Sequence, residues 1–438
     1  MTLIELTPRA TTPPRLTALP VVIIGAGPIG LSAAANLAAR GIDFVVLEAG
    51  DDVAASIRQW GHTRLFSPWR YLIDPVARGM LEAAGWTAPD DEAVPTGAEL
   101  VVDYLVPLAA LETIAARIRF GARVTDVTRE GMDRTRTSGR DETPFLLRAT
   151  TAEGVEEFCA RAVIDASGTY ASPNPLNSSG LEPLGIDDVA SAITHALPDV
   201  LGVDRARFAG MHVTVVGAGH SAANTLIALA RLREAEPDTR VTWLIRNASA
   251  VRVSSSPDDE LADRARLGSR VDELASDGAV DRIDSFEIGR LERTDSGSVR
   301  VVGRRHGEPV SHETDVVVNA TGFRPDLAML REVRVDLDEI VEAPRRLAPL
   351  IDPNVHSCGT VEPHGFRELT HPDRGFFIVG MKSYGRAPTF LLATGYEQVR
   401  SVTAWLDGDV AAASTVELTL PATGVCSTDA ATGGSCCS

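Results

Sequence analysis

Hydrophobic and polar residues follow the same order in two separate stretches of this chain. The first stretch, Val21 to Glu48, opens with an apolar run typical of a buried β-strand, passes through a glycine-rich turn and continues as an alanine-rich helix. It closes with a second apolar run that ends in Glu48. The second stretch, Val213 to Arg246, repeats this order. Each stretch therefore predicts a βαβ unit with parallel strands.

The turn of the first unit has the glycine spacing of a dinucleotide-binding site. Gly25 permits a tight turn, Gly27 leaves the backbone bare beside a pyrophosphate, and Gly30 lets the helix pack closely on the strand. Pro28 follows at the start of the helix, whose N–H groups and positive dipole end face the phosphates. Glu48 ends the second strand, where a carboxylate can hydrogen-bond a ribose hydroxyl.

The second unit differs from the first at the position that would meet the ribose. Its turn contains Gly217 and Gly219, and the third position needs only a small residue, which Ala222 provides. Its second strand ends at Arg246, whereas the first unit ends in an acid. A guanidinium pairs with a 2′-phosphate that a carboxylate would repel. We therefore expect FAD in the first unit and NADPH in the second, with two further turn residues, His220 and Ser221, also contacting the coenzyme.

The remaining pattern predicts how the two units are connected. Residues 94–120 look helical, with Thr96 as N-cap and Glu99 at capping-box spacing. Residues 119–168 alternate in the manner of strands and predict a β-meander. Residues 169–185 are rich in Pro, Ser, Asn and Gly and predict a loop. After the second unit, an apolar strand leads to Gly322, and residues 375–406 again read as strand, glycine loop and helix.

The predicted fold is α/β, with two Rossmann-like doubly wound domains. The NADPH domain is inserted in a discontinuous FAD domain that carries the β-meander. The predicted boundaries are a flexible arm at 1–18, the FAD domain at 19–172 and 326–410, the NADPH domain at 173–325, and a mobile cysteine-containing tail at 411–438.

Charge and hydropathy narrow the range of partners. The 438 residues include 42 Lys and Arg against 60 Asp and Glu, and the net charge is −18. Nucleic acids and anionic membranes require basic surfaces, so neither is an expected partner. The uncharged run Leu19 to Ala39 is as long as a membrane span, but its glycines and proline fit the first βαβ unit better. The first eighteen residues lack the apolar core of a signal peptide, which predicts a cytoplasmic location.

The run from Gly25 to Gly168, together with the second unit, resembles the flavoproteins with two dinucleotide-binding domains. These include the flavin-containing monooxygenases and the thioredoxin-reductase-like oxidoreductases. The resemblance implies that the backbone near Val124 meets the adenine. It also implies that Gly168 lies in a turn near the flavin or at the domain crossover, and that Gly322 closes the NADPH domain.

Two further segments are expected beside the flavin from the same resemblance. The segment Trp60 to Asp74 contains Arg64 and several aromatic residues; it lies beside the isoalloxazine or is a structural loop pinned by its aromatics. Disulfide reductases of the glutathione reductase type carry a cysteine pair here, and this chain has none. In the later glycine loop, Gly380 and Thr389 are expected flavin contacts, while Met381 and Lys382 replace the Gly-Asp of those reductases.

Cysteines supply the remaining candidates. Cys358, in a short Cys-Gly turn, is the candidate catalytic residue near the flavin, and the alternative is a buried structural thiol. Cys426, Cys436 and Cys437 lie in the tail. They could bind a soft ion such as arsenite or mercury, shuttle electrons as a swinging dithiol, or be inert.

The whole chain, including the final Cys-Cys, looks like bacterial flavoproteins encoded beside arsenic-resistance genes. That resemblance implies a detoxification setting more than a particular reaction. The predicted function is a monooxygenase-like, NADPH-dependent FAD oxidoreductase that acts in the detoxification of arsenic or a related metalloid. The alternatives are a flavin-driven dithiol or metalloid reductase and a thiol-based metalloid-binding protein. The expected substrate is a small molecule, either trivalent arsenic or a thiol. The oligomeric state is left open, and a homodimer is one expectation.

Overall fold

The structure is a computed structural model that describes residues 16–248, 262–352, 363–387 and 390–418. The strands of the described residues, in chain order, are β1 Val21–Ile24, β2 Phe44–Leu47, β3 Ile118–Arg119, β4 Arg123–Arg129, β5 Phe145–Thr151, β6 Gly154–Ala160, β7 Ala162–Asp165, β8 Ile193–His195, β9 His212–Val216, β10 Arg240–Leu244, β11 Asp281–Ile283, β12 Phe286–Arg293, β13 Val299–Arg305, β14 Glu308–Thr314, β15 Val316–Asn319 and β16 Phe376–Ile378.

Helices α1 and α9 each follow a glycine turn, as the sequence predicts. The α-helices of the described residues, in chain order, are α1 Pro28–Ala39, α2 Ala55–Arg58, α3 Pro75–Ala83, α4 Gly97–Glu99, α5 Val106–Ala110, α6 Glu112–Ala115, α7 Ile186–Val189, α8 Arg205–Phe208, α9 His220–Ala235, α10 Ala262–Ser276, α11 Ala348–Ile351, α12 Leu392–Leu406 and α13 Val410–Ser414.

The strands form two parallel sheets of five strands each. The first sheet has the order β16-β7-β1-β2-β3, so its strands come from both ends of the chain. The second has the order β11-β10-β9-β15-β8 and is built from the middle of the chain. In both sheets the central strand leads directly into a glycine turn and a helix. The predicted fold class, with one α/β domain inserted in a discontinuous other, is confirmed; the exact domain boundaries stay predictions.

Each parallel sheet is covered by helices on one face and by a three-stranded antiparallel meander on the other. In β1, Val21 and Ile23 pack in the core that contains α1, while Val22 and Ile24 pack against residues of the meander β4-β5-β6. In the second domain the meander is β12-β13-β14. The sequence predicts the first of these two meanders.

The segment predicted as one helix over 94–120 is broken into several pieces. Its start is confirmed: the Thr96 hydroxyl accepts from the Glu99 N–H, and the Glu99 carboxylate accepts from the Thr96 N–H. Between α4 and α5 the chain makes a π-helical turn over Leu100–Leu105. Pro107 follows this turn, and its ring and missing N–H are incompatible with an α-helical bond to Asp103.

The two connections between the domains run side by side. Pro173 and Phe323 form an antiparallel bridge. The Asn174 N–H donates to the Gly322 carbonyl at 2.9 Å, and the Arg324 N–H donates to the Ser172 carbonyl at 3.0 Å. The chain therefore leaves the first domain and returns to it through one hydrogen-bonded pair of segments.

The first residues of the tail that is predicted to start at residue 411 are packed on the first domain. Helix α13 covers Val410–Ser414, and Ala413 is buried. The hydroxyl of Ser401, on α12, donates to the Ala413 carbonyl at 2.6 Å. The burial of Ala413 and hydrogen bonds from Arg400 and Ser401 hold this short helix on α12. Among the described residues, no helix is long and apolar enough to cross a membrane.

Candidate functional site

The first glycine turn has the close approach that its spacing predicts. Gly25 has φ +97°, and a Cβ on Gly30 would lie 1.9 Å from the Gly25 carbonyl oxygen. A side chain at residue 30 would therefore push α1 away from β1. At Gly27, by contrast, a Cβ would meet no atom within 4 Å. The bare backbone of Gly27 thus faces open space at the start of the helix.

The N-terminus of α1 is suited to an anionic group. Gly27 is the N-cap residue, no side chain caps the helix, and its first turn contains no acidic residue. Pro28, at the first helical position, has no N–H to satisfy. The N–H groups of the first turn are therefore available to the phosphates of a dinucleotide. These features fit the pyrophosphate of FAD.

The Glu48 side chain contacts the first glycine turn. Its Oε2 accepts from the Ala26 N–H at 2.6 Å, and its Oε1 accepts from the Gly50 N–H at 2.8 Å. The side chain is largely buried. Each carboxylate oxygen can accept a second hydrogen bond. The geometry is compatible with the predicted ribose contact, which stays a prediction.

A buried ion pair, which no local sequence pattern predicts, lies where β7 and β16 end. Lys382 Nζ is 2.7 Å from Asp165 Oδ2, and 1% and 0% of the two side chains are exposed. Lys382 also donates to the Ser167 hydroxyl at 3.1 Å, and that hydroxyl donates to Asp165 Oδ1 at 2.6 Å. The one signal for it in the sequence is that Lys382 replaces the aspartate of the reductases. Gly168 directly follows this cluster.

Gly380, a predicted flavin contact, is held by a second buried polar network. Its N–H donates to Gln398 Oε1 at 2.7 Å. The Gln398 Nε2 donates to the Ser383 hydroxyl, and the hydroxyl donates to the Gly380 carbonyl. Gln398 Nε2 also lies 2.9 Å from His364 Nε2. These contacts fix the loop on helix α12, and no local pattern of residues predicts them.

The second glycine turn repeats the construction of the first. Gly217 has φ +129°, and a Cβ there would lie 2.1 Å from the Ala320 carbonyl oxygen. Gly219 is the uncapped N-cap residue of α9, and Ala222 is fully buried, as its predicted packing role requires. His220 and Ser221 form the first turn of α9. The His220 ring is 5.2 Å from the Phe66 ring of the first domain.

The other predicted cofactor residues are spread around these turns. Arg246 is exposed beyond the end of β10 and donates to the Ser178 carbonyl at 3.3 Å. Arg64 is exposed and donates to the Val94 carbonyl at 2.6 Å. Val124 lies on β4, opposite Ala149. Gly322 has φ +92° and follows β15. Their roles in cofactor binding stay predictions.

Several predicted residues lie outside the part of the chain that the structure describes. Among the described residues, no group of three or more His, Cys, Asp or Glu could hold a metal ion. Cys159, the one cysteine of the described residues, is half-buried on β6. The predicted residues outside the described ranges are Cys358, Thr389, Cys426, Cys436 and Cys437.

Two sheets, each with its own uncapped helix after a glycine turn, define a flavoprotein with two dinucleotide-binding domains. The family model described as pyridine nucleotide-disulphide oxidoreductase matches residues 22–357. The chain belongs to this family, which confirms the predicted class. Flavin and pyridine nucleotide cofactors are those of the family.

Similar proteins come from both branches of this class. The chain is 26% identical to the indole-3-pyruvate monooxygenase YUCCA1 of Oryza sativa subsp. japonica over 350 residues, which are 70% of this chain and 77% of that protein. A bacillithiol disulfide reductase from Bacillus cereus is similar in structure, with a TM-score of 0.65 and 20% identity over 89% of this chain and 99% of that one. A variant flavin monooxygenase from Stenotrophomonas maltophilia has a TM-score of 0.56 and 23% identity over 89% and 99%.

Proposed function

We propose that this protein is an FAD-containing, NADPH-dependent oxidoreductase of the monooxygenase-like type. The observation that carries the proposal is the segment Trp60 to Asp74, which has no cysteine although it follows the first dinucleotide unit. The only described cysteine, Cys159, lies on β6 of the meander rather than in a glycine turn. The described residues thus offer no dithiol to receive electrons, and the acceptor we propose is dioxygen.

The chain's own residues would bind and orient the two nucleotides. The uncapped N-termini of α1 and α9 would each hold a pyrophosphate, and the Glu48 carboxylate would accept from the FAD ribose. Arg246 would pair with the 2′-phosphate of NADPH. A bound flavin would supply the redox chemistry by taking two electrons from the nicotinamide and passing them on.

Two features of the first domain support the flavin position. The Gly380 loop is fixed by Gln398, so its backbone is preorganised beside the start of α12. The buried Lys382 ammonium lies at the carboxyl end of the sheet, the edge at which ligands bind in open α/β sheets. Because Asp165 neutralises this ammonium, the pair fixes the edge of the sheet at which the flavin would bind.

The substrate we propose is a small molecule with a soft nucleophilic atom, either trivalent arsenic or a thiol, handled in the cytoplasm. Support comes from the likeness to flavoproteins encoded beside arsenic-resistance genes and from Cys426, Cys436 and Cys437. Removing residues 421–438 tests the tail. Reduced arsenite affinity or turnover would support a metalloid role for the tail, whereas unchanged values would exclude it.

The experiment that tests the proposed function measures oxygen use. The purified protein is expected to release FAD on denaturation and to oxidise NADPH with matching consumption of dioxygen. The same assay is then run without oxygen, with a disulfide as acceptor. Fast anaerobic NADPH oxidation with the disulfide, together with little oxygen consumption in air, would contradict the monooxygenase-like function and favour the reductase alternative.

A further inference from the structure

A cleft of about 760 Å³ lies between the two domains. One wall is residues 62–66 of the first domain, together with Thr96. The other wall consists of one side of helix α9, the segment 197–202 and residues of helix α10. Its volume is in the range of small-molecule sites. The cleft is therefore large enough to take an organic ligand that contacts both domains.

Arginines from both domains line this cleft. Arg64 comes from the first wall, Arg231 from α9, and Arg266 and Arg270 from α10. The single carboxylate among the lining residues is Asp199, which also accepts from the Val203 N–H at 3.2 Å. The cleft thus has four guanidinium groups and one carboxylate, and its charge is opposite in sign to the net charge of −18 of the chain. The cleft therefore attracts anions.

The arginines have donors to offer a ligand. Arg64 is positioned by its bond to the Val94 carbonyl, and Arg270 lies 3.0 Å from a Glu273 carboxylate oxygen with half of its side chain exposed. Arg231 is exposed and forms no ion pair with another described residue. A guanidinium carries five N–H donors, so these contacts leave most of them available.

Apolar side chains cover the rest of the cleft surface. Among them are Leu65, Phe66, Leu197, Ile227 and Leu267. A fully hydrated inorganic ion would gain nothing from these groups, whereas a ligand with a hydrophobic body would bury area against them. We propose that the cleft binds an amphipathic organic anion, in which a carboxylate, phosphate or sulfonate is attached to an apolar or aromatic body.

The predicted NADPH residues lie elsewhere, although Arg64, which is predicted beside the flavin, does line the cleft. Gly217, Gly219 and Arg246 are not among the residues that line the cleft. The cleft reaches the coenzyme turn through Asn224, whose side chain donates to the His220 carbonyl at 3.0 Å, and through Thr225, whose hydroxyl donates to the Ser221 carbonyl at 2.9 Å. The anion site is therefore adjacent to the nicotinamide nucleotide and distinct from it. The inference goes beyond the proposed function, because it adds an organic anion to the small substrate proposed above.

Binding of two fluorescent probes to the full-length holoprotein tests this inference. Anilinonaphthalene sulfonate carries an anion on an aromatic body, and phenylnaphthylamine is its neutral analogue. We expect the double variant Arg231→Gln, Arg270→Gln to raise the dissociation constant of the sulfonate about tenfold. The neutral analogue is expected to bind the variant as it binds the parent. Arg304→Gln, an exposed arginine on β13, is the matched control and should change neither probe.

Saturation with NADP⁺ separates the cleft from the coenzyme site. If the sulfonate binds with NADP⁺ present, and the double variant leaves NADP⁺ affinity unchanged, the proposal is supported. Competition by NADP⁺ together with weaker NADP⁺ binding in the variant would show a coenzyme subsite and overturn it. Equal sulfonate affinity in parent and double variant would also overturn it. These binding measurements do not depend on catalytic turnover. A protein that fails to oxidise NADPH would contradict the proposed function without affecting the conclusion about the anion site.

Discussion

Lys382 and Asp165 form an ion pair in the interior of the first domain, with Nζ 2.7 Å from Oδ2 and almost no exposure of either side chain. Asp165 is the last residue of β7, and Lys382 follows the neighbouring strand β16, 217 positions away in the sequence. Two charges at this depth are stable only as a pair, because each would carry a large desolvation penalty alone. The pair therefore links the last strand of the sheet to the one beside it.

Lys382→Met is expected to lower the free energy of unfolding by about 3–5 kcal/mol, because it leaves the Asp165 carboxylate buried without its cation. Adding Asp165→Asn should restore at least half of the loss. Urea denaturation of both variants provides the measurement. Arg78→Gln, which breaks a pair with Asp91 near the surface, is the control and should cost about 1 kcal/mol or less. A single variant as stable as the parent would contradict the role of the pair.

Gly30→Ala is expected to yield protein without bound flavin, since its Cβ would lie 1.9 Å from the Gly25 carbonyl oxygen. Absorbance of the purified protein in the flavin bands gives the readout. Gly79→Ala is the matched control: a Cβ on this helical glycine would meet no atom within 4 Å, and alanine there should add up to about 1 kcal/mol of stability. Full flavin content in Gly30→Ala would show that the turn tolerates a wider separation.

Arg246→Ala is expected to reduce the preference for NADPH over NADH about ten- to hundredfold, the effect of losing charge-assisted hydrogen bonds to one phosphate. The kcat/KM values for the two coenzymes measure it. Most of the change should appear in KM for NADPH, with NADH little affected. Arg304→Ala serves as the control because this arginine is exposed in the same domain on β13. An unchanged coenzyme preference would remove the phosphate assignment.

Asp373 is expected to contribute to the acid sensitivity of the fold. Burial raises its pKa, but hydrogen bonds from Arg140 and the Arg334 N–H outweigh burial and hold the pKa below its usual value. The carboxylate thus stabilises the folded state above the unfolded pKa of about 3.9, and this contribution is lost as the pH falls through the folded pKa. Asp373→Asn should be less stable than the parent at pH 6, and the difference should narrow towards pH 3.

Unfolding curves at several pH values measure this difference. A gap that stays constant from pH 6 to pH 3 would contradict the depressed pKa. Arg140→Gln offers a second test, since it removes the bidentate partner and should raise the pKa of Asp373.

His312 is expected to stay neutral well below the usual histidine range. Burial lowers its pKa to about 4, with further contributions from His212 and Arg240. Because the unfolded side chain titrates near pH 6.5, the unfolded state binds more protons between these values, and stability falls as the pH drops from about 6.5 to about 4. NMR titration of the ring protons checks the value. A His312 signal that titrates near pH 6.5 would contradict it.

Local features of the fold could be predicted from the sequence, and contacts between distant segments could not. The Thr96–Glu99 capping box needs only residues three positions apart, and both glycine turns depend on neighbouring backbone. Arg140, in contrast, occurs in a polar stretch that reads as a solvated turn, yet it is buried because Asp373 accepts from it 233 positions away.

The same distinction holds within the candidate site. The glycines of both turns and Ala222 follow from spacing alone. The Gln398 network and the Lys382–Asp165 pair join segments whose proximity depends on the order of strands in the first sheet. The anion cleft could not be predicted from the sequence at all. Its arginines belong to two domains, and only the folded arrangement of the domains brings them together.

The paired connections at Pro173 and Phe323 have a consequence for how such a chain can be assembled. The Ser172 carbonyl and the Arg324 N–H are 3.0 Å apart, so residues 172 and 324 could be joined directly with little movement. The stretch between them begins and ends at one point and carries a complete sheet of its own. Deleting this stretch would therefore remove the second domain as one unit. All five strands of the first sheet would remain in place.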